Sequence, residues 1–304
     1  MTAGSGKHAT GVSRLKGTQE MDLSEKRFFC LRGFMKSGTN WVGKLLNLHP
    51  RIDCVGEFHW ERYLHLIREG VIAHAFVDRQ ETDRILRDEM HGLIRRCMVR
   101  LADPAASVIG DRTPHSLEPE TLPDDPVICV IRDGRDVLVS RLHHLFNRPE
   151  VTADFNCHED MAGELAQFQK NPNHFLENPD RLLSNEHVVR TSMRMWATHM
   201  EKDRKSMQQR VRCGVLVIRY EDLHADVELK RSELYRFLGL EPDEADPLEP
   251  ALRAGFRQER PNKFFRKGQV GDWKNYMTDQ ARRWVNEEAG QELLRQGYVG
   301  SLDW

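Results

Sequence analysis

An alternation of short apolar runs with longer helical patterns is the feature that most constrains how this chain can fold. Four runs are apolar at almost every position, which is typical of strands that a parallel sheet buries on both faces. They are residues 28–34, 107–110, 127–132 and 214–220. Helical patterns follow the first and third runs, and longer amphipathic patterns occupy residues 81–101 and 186–210. This order predicts an α/β fold with a central parallel sheet flanked by helices.

Length and composition indicate a single globular domain. The chain has 304 residues, of which 39% are hydrophobic and 30% are charged, as in ordinary globular proteins. Residues 1–26 are polar and lack the apolar core of a secretory signal. We therefore expect 1–26 to be a flexible tail and 27–304 to form one domain. Residues 149–180 are rich in Asn, Pro and acidic side chains, and we interpret them as an insertion or a mobile lid.

Charge and cysteine usage exclude several classes of partner. The net charge is −2, so we expect no nucleic acid partner, and any anion site must be local. No apolar run in the sequence approaches the roughly 20 residues of a membrane span. The six cysteines are scattered without a CxxC pair. This pattern favours reduced thiols and a cytoplasmic location.

The stretch FMKSGTNW, which follows the first apolar run, is the first candidate site. In open α/β sheets ligands bind at the carboxyl ends of strands, and the amides at the start of the next helix attract anions. Lys36 adds a positive charge, Ser37 and Thr39 add hydroxyl donors, and Gly38 allows close backbone approach. The alternative is a polar turn in which Ser37 or Thr39 caps the helix.

A second register through the same stretch resembles a phosphate-binding loop. Gly38, Gly43 and Lys44 fit GxxxxGK, but Leu45 stands where a Ser or Thr must hold Mg²⁺. Lys44 would also lie well inside the helix, away from its first amides. The GSGK sequence at residues 4–7 follows no strand pattern. We therefore place the anion at the Lys36 loop.

The third apolar run ends in a second candidate site. Arg132 closes the run, and Ser140 comes eight residues later, two turns into the following helical pattern. A guanidinium at the strand end and a hydroxyl on the helix can hold one phosphate group together. In the alternative interpretation, Arg132 pairs with Asp133 or Asp136 and Ser140 is a surface residue.

A third cluster lies near the C-terminus, within residues 260–278. Arg266 and Lys267 precede Gly268 in a glycine-containing loop with aromatic residues on both sides. Such a loop can fold over an anion. The alternative is a basic surface loop.

The three clusters together resemble those of sulfotransferases that use 3′-phosphoadenosine-5′-phosphosulfate (PAPS), and this family implies a P-loop-like fold. Residues 36–41 resemble the loop that binds the 5′-phosphosulfate. The IRDGRDVLVS sequence, from Arg132 to Ser140, is similar to the 3′-phosphate motif. FFRKGQVGDWKN closely resembles the C-terminal loop of the cytosolic-type enzymes.

The resemblance implies a role for each matching residue. Lys36 would contact the leaving phosphate and the bridging oxygen, and Trp41 would stack on adenine. Asn40 replaces a second Thr of the family pattern and is still a donor. Tyr220 matches a position near the nucleotide. The 5′-phosphate would lie on Ser37, Gly38 and Thr39, and the 3′-phosphate on Arg132, Ser140, Arg266, Lys267 and Gly268.

The base that deprotonates the acceptor is less certain from the sequence. Cytosolic relatives use a His, but Pro114 stands at its position and His115 follows one residue later. Glu57 lies in a segment similar to that of protein-tyrosine and some carbohydrate sulfotransferases, where a Glu is the base. It ends an apolar run at residues 52–56, so we expect partial burial at the cleft edge. His59 is a further candidate.

The predicted reaction is in-line transfer of a sulfuryl group from PAPS to a hydroxyl of a small-molecule, glycan or lipid-like acceptor. It needs a base at the acceptor and a cation at the leaving oxygen, and we expect no metal. The main alternative is a P-loop kinase, which Leu45 argues against. A nucleotide-binding module without catalysis is a second alternative. The sequence leaves the acceptor and the oligomeric state open.

Overall fold

The structure is a computed structural model of the chain. It describes residues 23–74, 78–117, 122–148, 158–209, 214–253 and 267–304.

A single five-stranded parallel sheet forms the centre of the described structure. Its strand order is β2-β3-β1-β4-β5. The strands are β1 (Arg27–Gly33), β2 (Ile52–Val55), β3 (Val108–Arg112), β4 (Val127–Ile131) and β5 (Val215–Arg219). The predicted α/β fold with a central parallel sheet is confirmed. We did not predict the edge strand β2, because it has only four residues and alternates between buried and half-buried positions.

The described helices lie on both faces of the sheet. The first five are α1 (Thr39–Leu46), α2 (Trp60–His74), α3 (Arg79–Leu101), α4 (Gly134–Asn147) and α5 (His158–Lys170). The others are α6 (His174–Glu177), α7 (Glu186–Gln209), α8 (Tyr220–Ala225), α9 (Val227–Phe237) and α10 (Asp279–Arg295). Two of them, α3 and α7, agree closely with the amphipathic patterns at residues 81–101 and 186–210, whereas α2, α5, α6, α8 and α10 were not predicted. Among these helices, none is both long and apolar enough to cross a membrane.

The central strand β1 shows why the apolar runs are continuous. Phe28 and Cys30 pack into the core on the face that carries α3, α4, α7 and α10. Phe29 and Leu31 pack into the opposite core, which α1, α8 and α9 cover. Successive side chains of a strand point to opposite faces, so a strand covered on both sides is apolar at nearly every position. Helices on both faces of the sheet therefore hold β1 in place, and with it the strand end that carries the candidate site.

Residues 149–180 were interpreted from the sequence as an insertion or a mobile lid, and the structure describes part of this segment. Residues 149–157 lie outside the described residues. In the described part, α5 and α6 bury Phe168 and Phe175 in the main core, and the two rings stack at 5.6 Å between centroids. A mobile lid does not bury its own side chains in this way, so the lid interpretation does not hold for residues 158–180.

The N-terminal prediction concerns residues that are mostly not described. Residues 1–22 lie outside the described ranges. Lys26 Nζ donates hydrogen bonds to the carbonyl oxygens of Pro104 (3.1 Å) and Ala106 (2.6 Å). The assignment of 27–304 to a single domain remains a prediction.

Candidate active site

The loop between β1 and α1 forms the centre of the candidate site. The amide of Ser37 donates to Phe34 O at 3.0 Å and closes the turn. Lys36 (φ 69°) and Gly38 (φ 106°) both adopt left-handed backbone conformations. For a lysine this conformation costs about 1–2 kcal/mol, and such strain gathers at functional sites. Gly38 is required because a β-carbon there would lie 2.7 Å from Tyr220 Cδ2.

The start of α1 leaves its first amides available to a ligand. Gly38 occupies the N-cap position and supplies no side-chain cap. The amides of Trp41 and Val42 donate to Gly38 O, so the helix ladder starts at Trp41. Neither Ser37 nor Thr39 caps the helix, which removes the alternative of a capped polar turn. An uncapped helix start with its positive dipole end favours an anion.

Ser37 provides an independent indication of a ligand. Its side chain is fully buried, and its Oγ has no hydrogen-bond partner among the described residues. A buried hydroxyl without a partner costs about 1–3 kcal/mol, so native proteins rarely leave one without a reason. The hydroxyl fits a phosphate or sulfate oxygen as its missing partner.

Lys36 lies in an environment that disfavours its charge. Burial, and after it the positive charge of Arg132, lower the pKa of Lys36 from its ordinary 10.5 to about 8. Glu57 acts in the opposite direction. The structure therefore brings together three residues that the sequence places far apart. An anion bound here would restore the preference of Lys36 for its charged form.

Arg132 connects the separate parts of the site. Its guanidinium donates to the carbonyl oxygens of Lys36 (3.2 Å) and Gln269 (3.1 Å), and lies 4.1 Å from the ring centroid of Tyr220. Its Nε is buried without a hydrogen-bond partner in the described ranges. This guanidinium therefore holds the Lys36 loop and the C-terminal loop side by side and retains a donor.

The two carboxylates that could have paired with Arg132 are bonded elsewhere. Asp133 binds Arg135 at 2.7 Å. Asp136 accepts hydrogen bonds from the amides of Gly271 (2.7 Å) and Trp273 (3.0 Å). Burial raises the pKa of Asp136.

Asp136 has a positioning role that the sequence analysis missed. It ties the C-terminal loop to the first turn of α4. The available signal was an acidic residue in the first helical turn after the Arg132 motif.

The described residues include only part of the C-terminal cluster, namely Lys267 and Gly268. Arg266 lies outside the described residues. Lys267 Nζ binds Asp272 Oδ1 at 2.7 Å, so the carboxylate compensates its charge. Gly268 has φ 61°, a conformation that glycine adopts without strain. The predicted phosphate contacts of these three residues remain predictions.

The other predicted nucleotide residues differ in their burial and contacts. Trp41 is buried, its Nε1 donates to Leu252 O at 2.6 Å, and its ring meets that of Tyr220 edge to face at 5.5 Å. Thr39 is buried, while Asn40 and Ser140 are half-buried. Ser140 lies on α4, which begins directly beyond Arg132 and Asp133. Their roles at the nucleotide remain predictions.

The three candidate bases have different surroundings. Glu57 is exposed, so the expected partial burial is wrong, although its charge acts on Lys36. His59 Nδ1 lies 3.2 Å from Glu61 Oε1. His115 Nδ1 lies 3.2 Å from Ser116 O. The structure therefore provides an electrostatic link between Glu57 and the Lys36 loop.

A buried ion pair beneath these candidates also escaped the sequence analysis. Arg32 binds Asp111 at 2.7 Å, and both side chains are buried. Asp111 accepts a further hydrogen bond from Thr113 Oγ1 at 3.0 Å, and the amide of His59 donates to the same hydroxyl at 3.4 Å. This network fixes the segments that follow β2 and β3.

Fold and site together define an α/β protein of the P-loop-like kind, in which an uncapped helix follows the end of the central strand. Residues 27–296 match the family model of the sulfotransferase domain. The chain therefore belongs to the sulfotransferase domain family. Membership confirms the predicted sulfotransferase fold and sulfuryl transfer as its enzymatic reaction.

Several solved structures are similar to the chain. Mouse sulfotransferase SULT7A1 complexed with PAP is 19% identical, with 91% of this chain and 86% of that chain covered and a TM-score of 0.47. Retinol dehydratase in complex with androsterone and inactive cofactor PAP is 17% identical over 86% and 80%, with a TM-score of 0.42. The sulfotransferase domain from the curacin biosynthetic pathway is 15% identical over 86% and 97%, with a TM-score of 0.46. No curated protein sequence matches the chain.

Proposed function

We propose that this protein transfers the sulfuryl group of PAPS to a hydroxyl of its acceptor by in-line displacement. The observation that carries the proposal is the buried hydroxyl of Ser37, which has no partner among the described residues, beside the partly buried cation of Lys36. Both stand at the uncapped start of α1. A loop of this kind supplies donors and charge to a phosphosulfate without a metal ligand.

The chemistry assigns separate tasks to the cations. Lys36 would hold the leaving phosphate and stabilise the charge that develops on it. Arg132 would use its remaining donor on the 3′-phosphate, with Ser140 on the following helix. Lys267 would have to exchange part of its bond with Asp272 for a phosphate contact. PAPS supplies the sulfuryl group, and these residues bind and orient it.

Glu57 is the proposed base. Its charge acts on Lys36, which supports a position near the reacting groups. Its exposure leaves it accessible to an acceptor hydroxyl. His115 and His59 remain the alternatives.

Aromatic side chains after Glu57 offer an apolar wall for the acceptor. Phe58 and Trp60 stack with ring centroids 5.0 Å apart, and Tyr63 lies 6.3 Å from Trp60. Trp60 Nε1 is buried and has no hydrogen-bond partner among the described residues. A donor next to a flat apolar surface suits a hydroxyl-bearing acceptor with an apolar or ring-shaped body.

The positions of Lys44 and Leu45 do not support the alternative interpretation as a kinase. Lys44 is exposed in the last turn of α1. Leu45 is fully buried in the core, where it cannot hold Mg²⁺. Kinase-type chemistry would require both positions at the phosphates.

We also propose a cytoplasmic location. Cys30, Cys54, Cys97 and Cys129 are thiols outside any disulfide. This state agrees with a reducing compartment.

A thermal-shift titration tests the proposal. The desulfated product PAP should raise the melting temperature without Mg²⁺, by roughly 4–5 °C at a hundredfold excess over Kd, because such an excess contributes about 2.7 kcal/mol. Lys36→Ala should lose most of this shift, while the matched variant Lys44→Ala should keep it. A larger shift with ATP and Mg²⁺ than with PAP, or the opposite behaviour of the two lysines, would contradict the proposal.

A further inference from the structure

A cavity of about 550 Å³ lies at the edge of the sheet opposite the candidate active site. Arg27 and Phe28 at the start of β1 line it, as do Val108 at the start of β3 and Pro126 before β4. The Lys36 loop follows the other end of β1. Since a strand rises about 3.3 Å per residue, the cavity and the active site lie about 20 Å apart.

The charge of the cavity is strongly positive. Four of its lining residues are cationic and one, Asp125, is acidic, whereas the whole chain carries −2. Asp125 already binds Arg95 at 2.7 Å. The other three cations are Lys26, Arg27 and Arg236.

In the described part of the chain, two of these cations bind neutral main-chain groups. Lys26 donates to two main-chain carbonyls, and Arg27 donates to Leu238 O at 2.8 Å. Neutral carbonyls satisfy donors without cancelling charge. Arg95 also keeps a buried Nε that has no hydrogen-bond partner within the described ranges. The cavity therefore offers unsatisfied donors and a local field that attracts an anion.

The rest of the lining is apolar. Phe28, Val108 and Phe237 contribute to it, and the Arg95 guanidinium lies 5.6 Å from the Phe28 ring centroid. Pockets that bind small organic molecules combine such walls with a few polar groups and have volumes of about 300–1,000 Å³. Inorganic ions would leave the apolar walls unused, and neutral molecules would leave the charges uncompensated.

We propose that this cavity is a second ligand site, which binds small organic anions with a compact apolar body, such as alkyl carboxylates or sulfate esters. It is separate from the nucleotide site and does not depend on the proposed reaction. The cations of the cavity would bind the charged group of the ligand, and Phe28 and Phe237 would contact its apolar part.

Isothermal titration of the PAP-saturated protein with hexyl sulfate, hexanoate, 1-hexanol and inorganic sulfate tests the inference. The two organic anions should bind at least about tenfold more tightly than 1-hexanol, which carries no charge for the cations, and than inorganic sulfate, which leaves the apolar walls uncovered. Arg236→Glu should weaken the organic anions at least tenfold, and Arg236→Met should weaken them less. The exposed Arg84 on α3 gives the matched control Arg84→Glu, which should bind normally.

A Lys36→Ala variant separates the two sites, because the active site also accepts sulfate esters as products. Binding of hexyl sulfate that survives Lys36→Ala and is lost in Arg236→Glu supports the cavity. Binding that is lost in Lys36→Ala and kept in Arg236→Glu overturns the inference. Equal affinity for hexyl sulfate and 1-hexanol, or absence of hexanoate binding at millimolar concentration, also overturns it.

Discussion

Replacing Lys36 by methionine should stabilise the protein without ligand while abolishing sulfuryl transfer. Methionine keeps an apolar stem of similar length and carries no charge. It also keeps the left-handed backbone at this position (φ 69°), so backbone strain is the same in both proteins. The substitution therefore removes the buried charge and changes little else.

The magnitude follows from the pKa of Lys36. Burial is the main cause that lowers it from 10.5 to about 8. Each unit of difference between the unfolded and folded pKa corresponds to about 1.36 kcal/mol. Keeping Lys36 charged in the folded protein therefore costs about 3 kcal/mol at pH 7.

The dependence on pH has a definite sign. Because the folded pKa is lower than the unfolded one, the cost is fully present below pH 8. Between pH 8 and 10.5 the folded protein loses the proton before the unfolded chain does, so the stability of the wild type rises relative to the variant. At pH 10 the remaining difference should be about 1 kcal/mol.

Urea unfolding of both proteins without nucleotide, at pH 7, 8.5 and 10, measures these differences. The exposed Lys44 on α1 gives the control Lys44→Met, which should change the free energy of unfolding by less than about 0.5 kcal/mol. A Lys36→Met variant that is less stable than the wild type at pH 7 would refute the reasoning. A difference that stays constant from pH 7 to 10 would refute it too.

Three further substitutions test other parts of the site. Ser37→Ala should raise the unliganded melting temperature by roughly 2–5 °C, since it removes a buried hydroxyl that has no partner among the described residues. It should also reduce the shift that PAP causes, and an undiminished shift would count against the loop. Glu57→Gln should lower kcat without changing PAP affinity, whereas His115→Ala should leave kcat unchanged. Steady-state kinetics with the reverse result would move the base to His115. Asp136→Asn should weaken PAP binding and lower the free energy of unfolding in urea by about 1–3 kcal/mol. The side-chain amide retains one oxygen for the two main-chain donors, one of which is the amide of Trp273. Wild-type values in both assays would contradict this prediction.

The fold could be predicted because each of its signals is local. The strand β1 is apolar at consecutive positions, and α4 begins at Gly134 after the Asp133 cap. Neither pattern needs knowledge of distant residues. The strand β2 lacked such a signal, since an edge strand of four residues alternates only twice.

The candidate site was predictable only where one segment supplies both position and chemistry. The Lys36 loop meets that condition, and so does the Arg132 segment. The exposure of Glu57 depends on which elements lie beside it, and no local pattern contains that information. The same applies to Asp136, whose partners lie about 135 residues further along the chain.

The sequence by itself determined the layered α/β fold, the loop that carries Lys36 and Ser37, and the family to which the chain belongs, because periodicity and motif spacing are properties of short segments. Only the tertiary structure decided how these segments act on one another. It placed Arg132 between two loops and lowered the pKa of Lys36 by burial. Burial and electrostatic fields arise from the packing of distant residues, so they exist only once the chain has folded.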